Sequence, residues 1–388
     1  MKALRILTVL IIISFLGCNS ETPVQEGNVF PNPPAQKGEI DLVGFSGQFI
    51  EAVAVNPQQP WNIIVSAGSP IRKVFVSRDY GNNWNVTLDS IRSRCIVWDH
   101  KNPSVAYLAK NAGMIFENFL SPFLLKTNDY GKSWTGIDSN IYLMDKHITT
   151  IAIDYFDPNY IYLVATANKY DMPSGLAADG RLYSSSNGGR SFTDSIELSM
   201  YYSFGDYVLV QDFATSNLYS GVLFAAIISD FDDNDLAISS DFGNTWVAKN
   251  IVDNWYSDLI RTYNEMVVLK VINIPLANKD FDFIIDSSRV LISSDFGLSF
   301  KMVDPNTLDY SKVNDLLLTP EGYIVFTAYL KSDPSKCVIY ISRDRGQTWS
   351  KLTSDTDRKT FLAYDFKNKF LYFVKNKENK GLYRIKLQ

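Results

Sequence analysis

Few side chains in this sequence are of the kinds that perform chemistry. Two histidines, His100 and His147, and three cysteines, Cys18, Cys95 and Cys337, occur in 388 residues. No Ser-His-Asp or Cys-His arrangement can be read around the histidines, and both are expected in turns rather than as ligands or general bases. So few His and Cys leave little material for a zinc site. Carboxylates are more plentiful. Asp230, Asp232 and Asn234, within Asp230-Phe231-Asp232-Asp233-Asn234-Asp235, put oxygens at i, i+2 and i+4. That spacing suits a structural Ca²⁺, although the glycine and distal bidentate Glu of an EF-hand are absent, so a solvated acidic turn competes with it. No other cofactor is expected. Asp171, Asp206 and Asp258 could supply acid and base to a glycosidase, whose inverting form needs two carboxylates about 6.5–9.5 Å apart. Beside them stand Tyr170, Tyr201, Tyr202, Phe204, Trp255 and Tyr256. Aromatic faces next to a carboxylate such as Asp171 suit sugar or peptide recognition, and packing between loops is the competing use.

These candidates fall in segments that read as long loops, among them 168–180, 197–206, 229–235, 251–258 and 272–288. Long loops on a rigid scaffold are where function concentrates. The scaffold announces itself by repetition. Ser77-Arg78-Asp79-Tyr80-Gly81-Asn82-Asn83-Trp84 returns as Thr127-Asn128-Asp129-Tyr130-Gly131-Lys132-Ser133-Trp134. Further copies are centred on Asn187, Asp241, Asp295 and Asp344, and successive copies lie 50, 58, 54, 54 and 49 residues apart. The pattern is S/T-x-D/N-x-G-x-S/T/N-W/F. Glycine permits positive φ, the carboxylate accepts backbone N–H groups across a turn, and Ser or Thr ties down a neighbouring group. The aromatic residue can then cover the hairpin end. Apolar runs such as Lys73–Val76 and Cys337–Ile341 precede the octapeptides. A second period places Asn56-Pro57, Asn102-Pro103 and Asp157-Pro158 between apolar strands.

The octapeptide resembles the Asp box, or BNR repeat, of sialidase-like β-propellers. With the strand–Asp–Pro–strand period it is similar to exo-acting xyloglucan hydrolases, the sortilin luminal domain and photosystem II assembly factors. The resemblance implies an all-β fold in which Asp79, Asp129, Asn187, Asp241, Asp295 and Asp344 are structural, on the turns between third and fourth strands of four-stranded antiparallel blades. It also implies that ligands meet the opposite face. Strands after the sixth box, 360–365, 370–374 and 381–385, make three-quarters of a further blade, and 39–45 is a spare strand at the other end. Seven blades closed by that N-terminal strand is the economical count, at 50 residues per blade over 39–388; six is the alternative. Sialidase activity is not expected: the Arg-Ile-Pro motif of that family is missing, and Pro70-Ile71-Arg72 reverses it.

Residues 1–20, MKALRILTVLIIISFLGCNS, join a basic start to an apolar run too short for a typical membrane span. Phe15-Leu16-Gly17-Cys18 resembles the lipobox of bacterial lipoproteins. Phe15 and Leu16 depart from its usual residues in the manner of Bacteroidota-like signals. The resemblance implies removal of 1–17, lipidation of Cys18 and a cell-envelope location, at the outer membrane. An ordinary signal peptide with an incidental Cys is the competing reading. Residues 18–38, with Pro23, Pro31, Pro33 and Pro34, read as a solvated tether, and 39–388 as one propeller domain. Cys95 and Cys337 are expected as buried thiols.

With 46% hydrophobic and 20% charged residues the chain is neither disordered nor a coiled coil. Its net charge of −5 argues against nucleic acid, and 14% aromatics favour strands. The expected function is a monomeric, surface-anchored recognition scaffold binding a glycan or protein, with the membrane as its second partner. A cell-surface glycoside hydrolase is the alternative.

Overall fold

The computed structural model describes residues 38–110, 123–137, 146–167, 179–193, 208–229, 236–252, 255–273, 287–356, 361–376 and 379–387. After strand β1 (Ile40–Gly44), one antiparallel meander recurs seven times. Blade 1 is β2 (Ile50–Val55), β3 (Ile63–Ala67), β4 (Lys73–Ser77) and β5 (Asn85–Asp89). Blade 2 is β6 (Ser93–Trp98), β7 (Ala106–Lys110), β8 (Leu124–Thr127) and β9 (Thr135–Gly136). Blade 3 holds β10 (Lys146–Ile153), β11 (Ile161–Ala167) and β12 (Asp179–Ser185), and among the described residues its fourth position shows a bridge between Ser184 and Thr193. Blade 4 is β13 (Val208–Thr215), β14 (Leu223–Ser229), β15 (Leu236–Ser239) and β16 (Val247–Lys249). Blade 5 is β17 (Trp255–Tyr263), β18 (Met266–Asn273), β19 (Ser287–Ser293) and β20 (Lys301–Met302). A four-residue helix, α1 (Pro305–Leu308), leads to blade 6: β21 (Tyr310–Leu318), β22 (Ile324–Leu330), β23 (Cys337–Ser342) and β24 (Ser350–Thr356). Blade 7 is β25 (Leu362–Asp365), β26 (Phe370–Lys375) and β27 (Gly381–Lys386), and its fourth strand is β1, antiparallel to β27. The seven-blade count and the closure by the N-terminal strand are both as expected.

Apolar sequence decides where each strand sits. Ile63 to Ala67 of β3 are buried throughout, since second strands are covered by the neighbouring blade on each face, whereas Asn85, Val86 and Asp89 of the outer β5 are exposed. Seven hydrophobic clusters fill the interfaces between successive blades, one to each. In the last, Ile50, Ile63 and Val65 of blade 1 pack on Phe370, Tyr372 and Val374 of blade 7, so the ring closes with the same kind of core as it has elsewhere.

The turns between first and second strands, Pro-containing in blades 1, 2, 3 and 6, form a second ring, around one mouth of the central channel. Asn56, Asp99, Asp154 and Asp365 each accept two backbone N–H groups two and three residues on, which shapes the turn. Neighbouring turns are then laced together. Lys367 donates to Gln58 O, Gln58 to His100 O, and His100 Nε2 lies 2.6 Å from Tyr155 O. Gly221 N donates to Asp154 Oδ2 at 3.1 Å, and Asn217 pairs with Asn264. Lys369 with Glu321 joins blade 7 to blade 6. His100 is thus a turn residue, as expected, whereas the side chain of His147 lies outside the described residues.

Candidate functional site

The six octapeptides occupy the turns between third and fourth strands. In each, the first Ser or Thr is buried, and its oxygen accepts the glycine N–H at 2.7–3.0 Å. The same hydroxyl donates to the Asp or Asn oxygen at 2.6–2.9 Å. That oxygen also accepts the N–H four residues on, at 2.8–3.0 Å. Tyr80, Tyr130, Phe242, Phe296 and Arg345 precede the glycine with φ of 57–63°, so two left-handed residues stand in succession; blade 3 has Gly188 there. The carboxylates are spent on their own turns. Hydrogen bonds from Ser293 and Ser299 hold Asp295 down to about 2, and those from Thr348 do the same for Asp344. Each box is closed by its own hydrogen bonds, and its most enclosed member is the hydroxyl rather than the acid.

First and third strands run the same way, so the boxes share an end with the laced turns, and each first strand begins at the opposite end. There the sequence gives a feature its repeats do not announce. In six consecutive first strands the register slips by one residue, at Glu51, Arg94, Thr149, Gln211, Asp258 and Asn314, and β21 slips once more between Tyr310 and Val313. A bulge re-aims side chains, and here it brings polar groups to the channel wall. The channel encloses about 800 Å³, and four carboxylates (Glu51, Asp212, Asp258, Asp315) and four cations (Arg94, Arg261, Lys270, Lys312) line it. Among these described lining residues the formal charges balance.

These charges are matched locally. Arg261 bridges blades 4 and 6: Nη1 donates to Asp212 Oδ2 at 2.6 Å, Nη2 lies 3.8 Å from Asp315 Oδ1, and Nε donates to Leu316 O at 3.0 Å. Thr150 Oγ1 donates to Asp212 at 2.7 Å. Asp315 accepts Leu316 N at 2.8 Å and Leu362 N at 2.9 Å. Burial pushes its carboxyl up, against the pull of Arg261 and these N–H groups. Lys270 pairs with Asp258, and burial together with Lys270 lowers the amine of Lys312 beside them. Across the channel Glu51 Oε2 stands 3.6 Å from Arg92 Nε. Burial raises the thiol of Cys95 to about 12, and Cys337 accepts Asn314 Nδ2 at 3.1 Å; no disulfide joins them.

Of the sequence-predicted ligand residues, the structure describes the side chain of Trp255 alone. The segment 251–258 is less of a loop than expected, for β17 begins at Trp255. The half-buried indole packs between blades 4 and 5 with the Arg289 guanidinium 5.2 Å above it, which is the packing role. Asp258, weighed as a glycosidase acid, is ion-paired. Tyr170, Asp171, Tyr201, Tyr202, Phe204, Asp206, the Tyr256 side chain, the Ca²⁺ candidates Asp230, Asp232 and Asn234, and Cys18 with the tether all lie outside the described residues. Among the described residues no group of three or more His, Cys, Asp or Glu could hold a metal ion, and no helix is long and apolar enough to cross a membrane.

The fold and its boxes define a β-propeller of the Asp-box (BNR) type. The BNR/Asp-box repeat family matches at residues 340–351, the sixth box and its flanks. No curated protein matches the chain. Among solved structures it is similar to the GH74 xyloglucanase from Xanthomonas campestris, with TM-score 0.61 and 13% identity over 90% of this chain and 54% of that one. The chain therefore spans about half the length of the xyloglucanase. It is also similar to YCF48 from Cyanidioschyzon merolae, with TM-score 0.55 and 13% identity over 89% of this chain and 98% of that one. YCF48 bound to D1 peptide gives TM-score 0.54, again at 13% identity, over 92% and 98%. At such identities the likeness is one of fold.

Proposed function

We propose that this protein is a non-catalytic recognition module of the bacterial cell envelope, lipid-anchored through Cys18 at the outer membrane. It binds a protein segment or a glycan at the mouth opposite the Asp boxes. One observation carries the non-catalytic part. Among the described residues every carboxylate lining the channel has a cationic partner: Glu51 with Arg92, Asp212 and Asp315 with Arg261, and Asp258 with Lys270. A glycosidase pair needs one carboxyl poised as acid and another left able to act as base or nucleophile. Four ion-paired carboxylates are instead suited to a fixed polar lining that orients a ligand. YCF48, alike in fold, has been solved bound to a D1 peptide, which supports a peptide as one ligand class.

The rival, a surface glycoside hydrolase, draws on one observation, the raised carboxyl of Asp315. Binding the chain to glycan and peptide arrays, with reducing-sugar release followed on every glycan bound, tests the two together. The module reading expects binding without turnover. Sugar release that Asp315→Asn abolishes would establish the hydrolase instead.

A further inference from the structure

We propose that the Asp-box face is the side turned to the bilayer, and that a patch of exposed apolar side chains on blades 3 to 5 rests in the headgroup layer of that membrane. This rests on the anchor at Cys18 proposed above, and adds an orientation and a docking surface to it.

The patch is built from turn tips. Tyr155 and Phe156 stand on the first turn of blade 3, 41% and 39% exposed, and Leu218 and Tyr219 on that of blade 4, 40% and 56% exposed. Leu298, in the box of blade 5, is 74% exposed. The two turns are joined by the Gly221 N–H on Asp154, and the Tyr219 ring lies 5.6 Å from Phe296 in the same box as Leu298. The turns hold the side chains outward. Phe156 N donates to Asp154 at 2.9 Å, Tyr219 N to Ser216 Oγ at 3.2 Å, and the Tyr155 ring is stacked on His100 at 4.4 Å. Tyr, Phe and Leu at the tips of rigid turns suit an interface where one side is apolar and the other wet.

The course of the chain says what covers them. β1 is antiparallel to β27, and β27 ends at the box face, where Leu387 N meets Lys369 O of the blade 7 turn. β1 therefore starts at the box face, and Gly38, its N–H on Lys386 O at 3.3 Å, marks where the preceding chain leaves. From Cys18 to Gly38 are 20 residues, a reach of at most roughly 70 Å. An anchor leaving by this face brings the membrane within its reach, and the patch is what holds the face to it. The opposite mouth, with its bulged polar strands, then points away from the membrane.

The test supplies the anchor chemically. The chain lacking residues 1–17, whose described fold begins at Gly38, is coupled through Cys18 to a maleimide-headgroup lipid in phosphatidylcholine vesicles. Cys337 is buried, and Cys95→Ser removes the partly exposed thiol, so the maleimide couples at Cys18. Hydroxyl-radical oxidation is read by mass spectrometry on vesicles and in free solution. Tyr155, Phe156 and Tyr219 are expected to oxidise several-fold less on vesicles, with Trp255 unchanged. Phe156→Ser with Tyr219→Ser should return Tyr155 to its free-solution rate, and Leu298→Ser, outside both turns, should do so in part. Equal oxidation of Tyr155, Phe156 and Tyr219 in the two states, or protection of Trp255 in their place, overturns the proposal. Because the link replaces the native lipid, neither result depends on whether Cys18 is lipidated in the cell.

Discussion

Gly81 in the first Asp box lies against Val43 of the strand that completes the last blade, so closely that a Cβ at position 81 would overlap Val43 Cγ1. The box glycines of other blades likewise press on the blade before: Gly131 on Val76, Gly189 on Ile137, Gly346 on Ile292. At the closure this repeated contact clamps β1, and Trp84 adds to it, its ring 4.8 Å from that of Phe45.

Gly81→Ala combines that overlap with a φ of 88°, and left-handed backbone costs a non-glycine residue about 1–2 kcal/mol before any clash. The variant should unfold at lower urea by more than that amount. Adding Val43→Ala should recover the clash portion and leave the backbone portion. Deleting 19–37 should be nearly neutral, whereas deleting 19–46 should open the ring and promote aggregation, visible as loss of the monomer peak in size-exclusion chromatography.

The boxes predict an acid limb of stability. Asp295 and Asp344 ionise at about 2 in the folded protein, against about 3.9 when unfolded. A depressed carboxyl contributes stability above its unfolded value and loses it as pH falls through the folded one. The melting temperature should therefore fall between about pH 4 and 2. Blade 3 shows that an amide can serve, since Asn187 accepts from Ser185 and from Ser191 N. Asp295→Asn with Asp344→Asn should keep the fold at pH 7 and fall less steeply over that window.

Asp241→Ala is expected to cost about 1–3 kcal/mol in urea unfolding, because the buried Ser239 hydroxyl loses its acceptor, while Thr245, whose N–H and hydroxyl also donate to the carboxylate, is solvent-exposed. Ligand affinity of the folded fraction should not change.

Arg261→Met leaves Asp212 and Asp315 facing one another across the channel without their shared cation. A loss of about 2–4 kcal/mol is expected, the partly open channel softening the value for a fully buried pair. Asp315→Asn added to it should restore part, as measured by urea unfolding.

Cys18→Ser should move the protein from the membrane to the soluble fraction of cells. Unchanged partitioning would end the lipoprotein reading.

The boxes, the blade count and the closing strand were legible because each is written in local sequence: a glycine, an acid and an aromatic at fixed offsets, recurring at a regular period. The bulges were not, because a bulge belongs to the register between two strands and its occupants share no type. Their one trace is that Glu51, Arg94, Thr149, Gln211, Asp258 and Asn314 are all polar within or beside apolar first strands. Trp255 falls in a segment that reads as a long loop, 251–258, whereas β17 opens at Trp255 itself. The Arg261 bridge was beyond reach for a different reason: its three members lie on three first strands, which only the closed ring brings together.

The pairing of β1 with β27 also sets an order of events. Arg384 lies 3.5 Å from Asp41 across that pairing, 343 residues apart in the chain. β1 must thus wait, unpaired, until a partner 343 residues further along has been made. Contacts so distant in sequence form slowly. A chain stopped before Gly381 would have six blades and an open seam between blades 7 and 1, so shortening it at either end should strike the same joint.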